Sequence, residues 1–401
     1  MSMGNALIAL GGAFLAAGLF ARLGSRIGLP TIPFFMAAGI LFGPNTPGIV
    51  LVDDPADLEL FAAVGLIMLL FHLGLEFSLR DLIDGGPRLV GAGVIYLALN
   101  VGGGILFGLA LGWGLAEALV IAGAVGISSS AIVTKVLIDL ERLANPETRL
   151  ILGIIVVEDI FLALYLAVLQ PVLGQASGAV ESIVVVGRAF LFLLVLFAIA
   201  RFGARYVGRL LGSGDDEELL TVVFVGLAII VAGFAEEIGV SDAIGAFMVG
   251  LILAETKQAP LIERLVLPLR DAFAAVFFFV FGLSIDPGSL GPVVVPVAVA
   301  VVLTLVLNVA AGIACSRING FGRRQASNVG FTILGRGEFS LILASFAAAA
   351  GLDDRIGPFV ALYVLILAIG APVLASRSKA LAHLIPARAF PTRGETKEAS
   401  T

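Results

Sequence analysis

Long apolar segments separated by short charged stretches fill almost the entire chain. Of its 401 residues, 59% are hydrophobic and only 13% are charged, whereas about a quarter of the residues in an average soluble domain are charged. A chain with so little charge cannot cover a water-soluble surface. Because roughly 20 apolar residues in a helix span the hydrocarbon core of a bilayer, the pattern predicts an all-α membrane protein with about 13 transmembrane helices.

The predicted spans follow the apolar segments, and each boundary carries an error of several residues. They cover residues 4–23, 31–52, 59–77, 88–112, 116–138, 149–173, 184–208, 219–237, 241–254, 265–285, 292–316, 325–350 and 356–376. The first segment lacks the basic start of a signal peptide and is followed by further spans, so it is predicted to be a membrane helix.

Basic residues in the loops assign a direction to these spans. With the N-terminus outside, nearly all loop arginines and lysines lie on the inner side, whereas the outer stretches at 53–59 and 236–242 are acidic. Arg188 and Arg355 are the exceptions, and Arg336 lies within a span. This asymmetry follows the positive-inside rule, and it predicts an outer N-terminus and a cytoplasmic C-terminus.

Composition also argues against several kinds of partner and site. The net charge is −6, and no basic cluster follows the pattern of a nucleic-acid-binding surface. The single cysteine, Cys315, rules out an internal disulfide. His72 and His383 are far apart and have no cysteine nearby, so a zinc site is not expected. The partner that composition does predict is the lipid bilayer.

Short sequence matches indicate that the chain repeats. Phe273-Ala-Ala-Val follows Phe61-Ala-Ala-Val after 212 positions, and Phe247-Met follows Phe35-Met after the same interval. The interval corresponds to seven spans, an odd number, so the second copy would be inverted in the membrane. Inverted repeats are typical of secondary transporters, whose substrate sites lie near the middle of the bilayer. A membrane-embedded enzyme has no comparable need for this symmetry, so no enzymatic activity and no cofactor is predicted.

Two adjacent acids occupy the middle of the sixth span. Asp159 follows Arg149 by ten residues, which is about 15 Å along a helix, and Glu158 precedes it directly. Ionisable groups inside the membrane are costly and usually functional, although a pair of hydrogen-bonded structural carboxylates is the alternative. We therefore predict that Asp159 binds either a proton or a monovalent cation, so that competition between the two couples their fluxes.

Polar residues interrupt two further spans. Ser128, Ser129 and Ser130 follow a glycine in the fifth span, with Thr134 one turn later, while Gly335-Arg336-Gly337-Glu338 interrupts the twelfth. Discontinuous helices at corresponding positions of two repeats are a pointer to a transport site. Serines that bond back to helix carbonyls or pack closely are the alternative for the first segment. A surface loop is the alternative for the second, but a span must fit between Arg324 and Asp353.

Other polar residues permit less specific interpretations. His72 is predicted to pack in the core or at the membrane interface, with a proton relay as the alternative, and Glu76 and Asp286 are predicted to be interfacial. Asn100 and Asn308 could contact the site or bond between helices, and the sequence does not distinguish these two roles.

Five motifs that occur in order resemble those of the monovalent cation:proton antiporter-2 family. This family includes bacterial sodium/proton antiporters and glutathione-gated potassium efflux transporters, and the resemblance extends from the first span to about Ser378. The motifs are Leu-Gly-Leu-Glu-Phe-Ser (73–78), Ile-Ser-Ser-Ser-Ala-Ile-Val (127–133), Val-Glu-Asp-Ile (157–160), Phe-Phe-Phe-Val-Phe-Gly-Leu-Ser-Ile-Asp (277–286) and Gly-Arg-Gly-Glu-Phe-Ser (335–340).

The resemblance implies a sodium/proton antiporter fold, with an inverted repeat and crossed broken helices, that forms a homodimer in a bacterial inner membrane. A core domain would move like an elevator against the dimer interface. Asp159 matches the family's ion-carrying aspartate, and Ser128–Ser130 and Gly335–Glu338 match the crossing helices. The resemblance also implies a division of the chain. Residues 1–112 would form the first dimerisation-type spans leading into core span 4, residues 113–173 core spans 5 and 6, and residues 184–210 a linking helix. Dimerisation spans would follow at 219–285, core spans at 292–378 and a cytoplasmic tail at 379–401.

Departures from the family pattern refine these expectations. Many sodium/proton members have aspartate where this chain has Glu158, and electrogenic members have a lysine in the span that corresponds to 292–316, where this chain has none. Arg336 is then a candidate charge partner for Glu158. The missing lysine favours electroneutral exchange, with potassium ahead of sodium. The large nucleotide-binding domain of full-length potassium efflux members is also missing, so regulation is lost, comes from a separate cytosolic subunit, or lies in a truncated part.

The sequence therefore predicts a secondary antiporter that exchanges potassium or sodium for protons. The alternatives are a cation channel, a non-transporting sensor built on the same spans, or a sodium-coupled organic-anion symporter with a related fold. A channel needs a continuous pore, and a symporter of this kind needs a larger polar cavity than these sparse polar spans suggest.

Overall fold

The computed structural model describes residues 3–76, 79–173, 216–237, 242–386 and 390. All regular structure in these ranges is helical, which confirms the predicted all-α class. The helices are α1 (Met3–Arg26), α2 (Ile32–Phe42), α3 (Glu59–Glu76), α4 (Leu79–Leu111), α5 (Leu115–Gly126), α6 (Ser130–Asp139), α7 (Thr148–Leu173), α8 (Glu217–Glu237), α9 (Asp242–Ala254), α10 (Ala259–Leu283), α11 (Val294–Ile318), α12 (Arg323–Thr332), α13 (Glu338–Ala349), α14 (Ile356–Ser376) and α15 (Ser378–Leu381). Short 3₁₀ segments cover Pro55–Leu58, Pro287–Val293 and Ala382–Leu384.

The helices agree with most of the predicted spans. Among the described residues, eight helical segments are long and apolar enough to cross a membrane, and three shorter apolar helices accompany them. The predicted linking helix at 184–208 and most of the tail after residue 386 lie outside the described residues, so the count of thirteen stays a prediction. Residues 127–129 interrupt the fifth predicted span between α5 and α6, and residues 333–337 interrupt the twelfth between α12 and α13.

The second predicted span is wrong in length. The sequence predicted 31–52, but α2 ends at Phe42 after 11 residues. Gly43 adopts an extended conformation, with φ −87° and ψ 171°, and Pro44 follows it. A residue before proline avoids the helical region, so the helix stops although the following residues remain apolar.

The described helices pack in two groups. In one group α3 lies against α9 and α10, and α10 also lies against α2. In the other, α4 lies against α5, α7 and α11, while α11 also lies against α12 and α14. The division into a dimerisation domain and a core domain stays a prediction, and these two groups are the packing units from which it would be built.

Glycines let the helices of the first group cross at close range. A Cβ atom on Gly39 of α2 would lie 2.0 Å from the carbonyl oxygen of Phe279 in α10. Similarly, a Cβ atom on Gly74 of α3 would lie 2.1 Å from the carbonyl oxygen of Phe247 in α9. The facing glycines are Gly282 and Gly250, so each crossing brings two glycines together. Small residues at such crossings allow backbones to approach closely in membrane proteins.

The second group shows a paired pattern at a fixed interval. Gly104 in α4 faces Ala122 in α5, and Gly312 in α11 faces Gly330 in α12. The amide of Asn308 donates to the side-chain oxygen of Asn100, and these two residues are 208 positions apart. The same interval separates Gly104 from Gly312 and Ala122 from Gly330. This interval is four residues shorter than the 212 positions between the sequence matches in the second and third spans and those in the ninth and tenth.

We predict that Gly250→Ala destabilises the protein, whereas Gly226→Ala does not. The new methyl group at Gly250 would lie 2.1 Å from the carbonyl oxygen of Phe71, and such overpacking typically costs about 1–3 kcal/mol. A Cβ atom on Gly226 of α8 would meet no other atom within 4 Å, so alanine there should be neutral or stabilise by about 0.5–1 kcal/mol. Thermal unfolding of both purified variants in detergent tests this, and equal midpoints would contradict the close crossing.

Candidate functional site

The first interrupted helix is held open by its serines. α5 ends at Gly126, residues 127–129 are not helical, and α6 begins at Ser130. Ser129 caps α6, because its hydroxyl accepts a hydrogen bond from the backbone N–H of Ile132 at 3.3 Å. Ser128 and Ser129 are buried, while Ser130 is partly exposed and Thr134 is exposed. The predicted break is therefore present, and its polar groups divide between the protein interior and a more open side.

The second interrupted helix passes directly beside the first. α12 ends at Thr332 and α13 begins at Glu338, so Gly335, Arg336 and Gly337 lie in the break. A Cβ atom on Gly337 would lie 2.8 Å from the hydroxyl of Ser129, and one on Gly335 would lie 2.7 Å from a methyl carbon of Ile132. A larger residue at either position would force these side chains to shift, so the two glycines let the breaks come into direct contact.

Hydrogen bonds join the two breaks where they cross. The backbone N–H of Ser129 donates to the carbonyl of Gly335 at 3.0 Å. The Ser129 hydroxyl donates to Oε2 of Glu338 at 2.6 Å, and the Ser340 hydroxyl donates to the carbonyl of Ala124 at 2.8 Å. The buried Glu338 carboxylate at the start of α13 therefore has a direct partner in the opposite broken helix.

Arg336 satisfies carbonyl groups at the ends of both upstream half-helices. Its side chain is fully buried, and Nε donates to the carbonyl of Val125 at 2.8 Å. Nη1 lies within 3.1–3.3 Å of three carbonyl oxygens in the second break, those of Ile333, Leu334 and Gly335. The last carbonyls of a helix lack intrahelical partners and carry partial negative charge, so the guanidinium group compensates both helix ends.

Glu158 is held by serine rather than by Arg336. The carboxylate of Glu158, which is 1% exposed, accepts the backbone N–H of Ser128 at 2.8 Å and the Ser128 hydroxyl at 2.7 Å. Within the described ranges, no ion pair joins Glu158 to Arg336. The suggested charge partnership is therefore not a direct contact, because Arg336 is engaged by backbone carbonyls.

Asp159 differs from its neighbour in having no such partner. It is partly exposed, and in the part of the chain that the structure describes its carboxylate makes no hydrogen bond or ion pair. Adjacent residues on a helix point about 100° apart, so the carboxylates of Glu158 and Asp159 face different neighbours. Asp159 is thus the acid of the pair whose carboxylate has no protein partner in the described structure.

A cavity of about 700 Å³ leads to the crossing from the predicted cytoplasmic side. It lies between α2, α3 and α10 on one side and α6 and α13 on the other. Its polar lining consists of Thr31, His72, Glu76, Ser130, Thr134, Lys135, Asp139, Arg270, Asp271 and Glu338. Three of the predicted site residues, Ser130, Thr134 and Glu338, therefore border this cavity, whereas Ser128 and Ser129 are buried and do not line it.

A second cavity, of about 870 Å³, opens between the same groups of helices near the predicted outer ends. Its lining includes the predicted interfacial residue Asp286 and a series of further acids, namely Glu59, Glu236, Asp242, Asp353 and Asp354. It also includes Phe277 of α10 and Phe346 of α13. The two cavities approach the broken helices from opposite ends, and the outer one has the negative charge that attracts cations.

Several contributing residues were missed by the sequence reasoning. Tyr96 donates to the side-chain oxygen of Asn308 at 2.8 Å, which assigns Asn100 and Asn308 to a network that joins α4 and α11. Arg270 lies in α10, within the predicted span at 265–285, but its contact with His72 was not predicted. There its Nη1 lies 3.1 Å from Nδ1 of His72. The spacing of four between Tyr96 and Asn100 was the available signal for the first network.

Comparison with known proteins assigns this architecture to a family. Residues 11–376 match the model of the sodium/hydrogen exchanger transmembrane family. The chain is 42% identical over 389 residues to a K(+)/H(+) antiporter subunit, KhtU, from Bacillus subtilis, with 96% of each chain covered. It is 28% identical to the high-affinity Na(+)/H(+) antiporter NhaS3 of Synechocystis, covering 79% of this chain and 70% of the relative.

A solved structure shows the same fold. The sodium proton antiporter MjNhaP1 from Methanocaldococcus jannaschii superposes with a TM-score of 0.65 over 96% of this chain and 99% of that one. The sequences are only 16% identical, so this likeness concerns the fold. Together with the family match, it confirms the resemblance drawn from the five motifs: the chain is a multi-pass membrane protein that belongs to the sodium/hydrogen exchanger family.

Proposed function

We propose that the protein exchanges a monovalent cation for protons at Asp159, with potassium as the preferred cation. The observation that carries this proposal is the unpartnered Asp159 carboxylate beside two crossed broken helices. The 42% identical relative is named a K(+)/H(+) antiporter subunit, which supports potassium. Sodium is the competing substrate, because a more distant relative is named a Na(+)/H(+) antiporter.

Competition at one carboxylate provides the coupling. When Asp159 holds a proton, its charge is neutral and it has no electrostatic attraction for a cation. When it releases the proton, the carboxylate can bind a cation whose remaining ligands are oxygen atoms, as hard cations prefer. Hydroxyls of Ser130 and Thr134 and backbone carbonyls of the breaks are the oxygen donors that we propose, while Glu158 stays hydrogen-bonded to Ser128 and orients the break.

An elevator-type movement would alternate access to this site. The two cavities lie between the same groups of helices at opposite ends, and the inner one touches Glu338 at the crossing. Sliding the group that contains α4–α7 and α11–α14 against the group of α2, α3, α9 and α10 would close one cavity and open the other. Inverted repeats support this proposal because they provide two related conformations of one architecture.

The charge balance favours electroneutral exchange. Asp159 would carry one proton in one direction and one monovalent cation in the other, and Arg336 would keep its charge and its carbonyl partners throughout. α11 has no lysine that could take up a second proton. Each half-cycle would therefore move the same net charge across the membrane.

Partners follow from the family and from the names of its members. We propose a homodimer in a bacterial inner membrane, with the N-terminus outside and the C-terminus in the cytoplasm. The name of the Bacillus subtilis relative describes it as a subunit, which supports a separate cytosolic regulatory subunit for this chain as well. No nucleic acid or bound cofactor has a role in this proposal.

We predict that Asp159→Asn abolishes exchange. Asparagine preserves the shape of the side chain but cannot be deprotonated, so neither the proton nor the cation has a carrier. Purified protein in vesicles with an imposed proton gradient should dissipate that gradient when potassium chloride or sodium chloride is added, as reported by a pH-sensitive dye. The Asp159→Asn vesicles should respond like empty vesicles.

A matched control separates this effect from misfolding. Glu218→Gln removes an exposed acid at the start of α8, outside both cavities, and should retain full activity. Both variants should elute as the wild-type dimer. Full activity of folded Asp159→Asn would refute the mechanism, and comparing initial rates with potassium and sodium in the wild type decides which cation is preferred.

We predict that the rate and the reversal point of exchange do not depend on membrane potential. In one-for-one exchange, net flux stops when the cation ratio across the membrane equals the proton ratio. A gradient of the permeant anion thiocyanate can set the potential without adding a second pathway for potassium. A charge moved through the field would contribute about 2.3 kcal/mol per 100 mV, so a reversal point that shifts with potential would refute electroneutrality alone.

A further inference from the structure

A separate polar pocket lies at the end of the helices that is predicted to face the cytoplasm. Its volume is about 330 Å³, which is within the range of small-ligand sites. It is bordered by the loop between α6 and α7, the first turns of α12, and the segment from the end of α14 into α15. The lining residues that matter for its charge are Glu141, Arg142, Glu147, Arg324 and Lys379.

Arg142 is buried in this pocket without a direct partner. It is only 7% exposed, and its Nη1 atom is buried and has no hydrogen-bond partner. Across the described residues, Arg142 also forms no ion pair. A buried charge without a partner is costly, and each such group in a folded protein calls for an explanation, one of which is a ligand that is not present.

The nearby acid Glu147 is not a direct partner of Arg142. Glu147 is buried, but its Oε1 already accepts a hydrogen bond at 2.5 Å from the side-chain amide of Asn328. Asn328 in turn accepts a hydrogen bond from the Ser378 hydroxyl at 2.6 Å. Glu147 therefore belongs to a network that fixes the wall of the pocket, and it lies beyond ion-pair distance of Arg142.

A strained turn directs Arg142 into the pocket. Glu141 has φ +53°, and it is the only non-glycine residue with positive φ among those that the structure describes. The backbone N–H of Arg142 donates to Leu137 at 2.8 Å and that of Glu141 donates to Ile138 at 3.0 Å, which is the Schellman arrangement that glycine usually provides. A left-handed residue other than glycine costs about 1–2 kcal/mol, and such strain is often kept at functional sites.

Two further features make the pocket favourable for an anion. Arg324 and Lys379 are exposed cations on its wall. The N-terminus of α12 is capped by Gly322 without a side-chain hydrogen bond, and its first turn contains no acid. Unpaired N–H groups at a helix N-terminus attract anions, and Arg324 and Gln325 of the first turn of α12 line the same pocket as Arg142.

A bound anion would also stabilise the charged form of Arg142. Burial lowers the pKa of the Arg142 guanidinium group, and Arg324 lowers that pKa further, whereas Glu147 opposes both effects. A bound anion would favour the charged form and would relieve the repulsion between the two arginines.

We propose that this pocket binds the phosphate group of a cytoplasmic ligand, carried either by a soluble phosphorylated compound or by a lipid headgroup. Arg142 would donate to the phosphate oxygens from the interior, and Arg324, Lys379 and the N-terminus of α12 would approach from the rim. Arginine is suited to this contact because its planar group can donate two hydrogen bonds to one phosphate.

Occupation of the pocket would connect elements that carry the transport site. α6 and α12 each form one half of a broken helix, and α7 carries Glu158 and Asp159. The phosphate would bridge the cytoplasmic ends of these helices and so stabilise their relative positions. The site itself does not rest on the proposed exchange activity, and its test measures binding alone.

The test uses the full chain in nanodiscs made only of phosphatidylcholine. Isothermal titration with inorganic phosphate and with pyrophosphate should show saturable binding to the wild type. Arg142→Gln should weaken that binding about tenfold or more, as expected for a charged hydrogen bond of about 1.5–3 kcal/mol. Because Arg142→Gln could disturb folding, the exposed pair Arg324→Gln and Lys379→Gln provides a second variant, which should also weaken binding. Arg317→Gln, an exposed cation outside the pocket, should bind as the wild type does.

A second arm distinguishes the two sources of phosphate. In nanodiscs that contain phosphatidylglycerol, a lipid ligand should reduce pyrophosphate binding and should remain attached to the wild type, but not to the double variant, in native mass spectrometry. Pyrophosphate binding that is unaffected by the lipid identifies a soluble ligand. No saturable phosphate binding together with no retained lipid would overturn the proposal, as would equal binding by the wild type and the double variant.

Discussion

The crossing of two interrupted helices is the constraint on which the described architecture depends. Each interruption leaves backbone groups without helical partners, and such groups are costly wherever water is excluded. Arg336 is positioned to satisfy carbonyl groups of both upstream halves, and Ser129 connects the two breaks through its backbone and its hydroxyl. The same contacts that make the interruptions tolerable therefore also fix the two breaks against each other.

This constraint explains which parts of the site could be predicted from sequence. Serines and glycines in the middle of apolar spans are local signals, so the breaks at Ser128–Ser130 and Gly335–Gly337 could be placed without a structure. The partner of a buried charge is not a local property. Arg336 was a reasonable candidate to pair with Glu158, but its guanidinium group is used by carbonyls that become available only when both breaks cross.

The positions of the helices could also be predicted only in part from the sequence. Apolar length identified most helices, but it overestimated α2, where Gly43 and Pro44 end the helix within an apolar stretch. It also did not reveal that Arg270 of α10 contacts His72 of α3. The close crossings at Gly39 and Gly74 show why the repeat was only partly readable, since many of the residues that must be preserved there are glycines, which are frequent throughout the chain.

The two adjacent acids of α7 differ in whether protein groups bind them. A rotation of about 100° between consecutive residues gives Glu158 two hydrogen bonds from Ser128 and leaves Asp159 without a partner in the described structure. If both carboxylates were satisfied by protein donors, neither would have an oxygen available for an ion. If both were free, two unpartnered buried acids would have to be accommodated side by side, at a much larger cost. One acid that is hydrogen-bonded to the break and one acid without a protein partner is the arrangement that the proposed exchange requires.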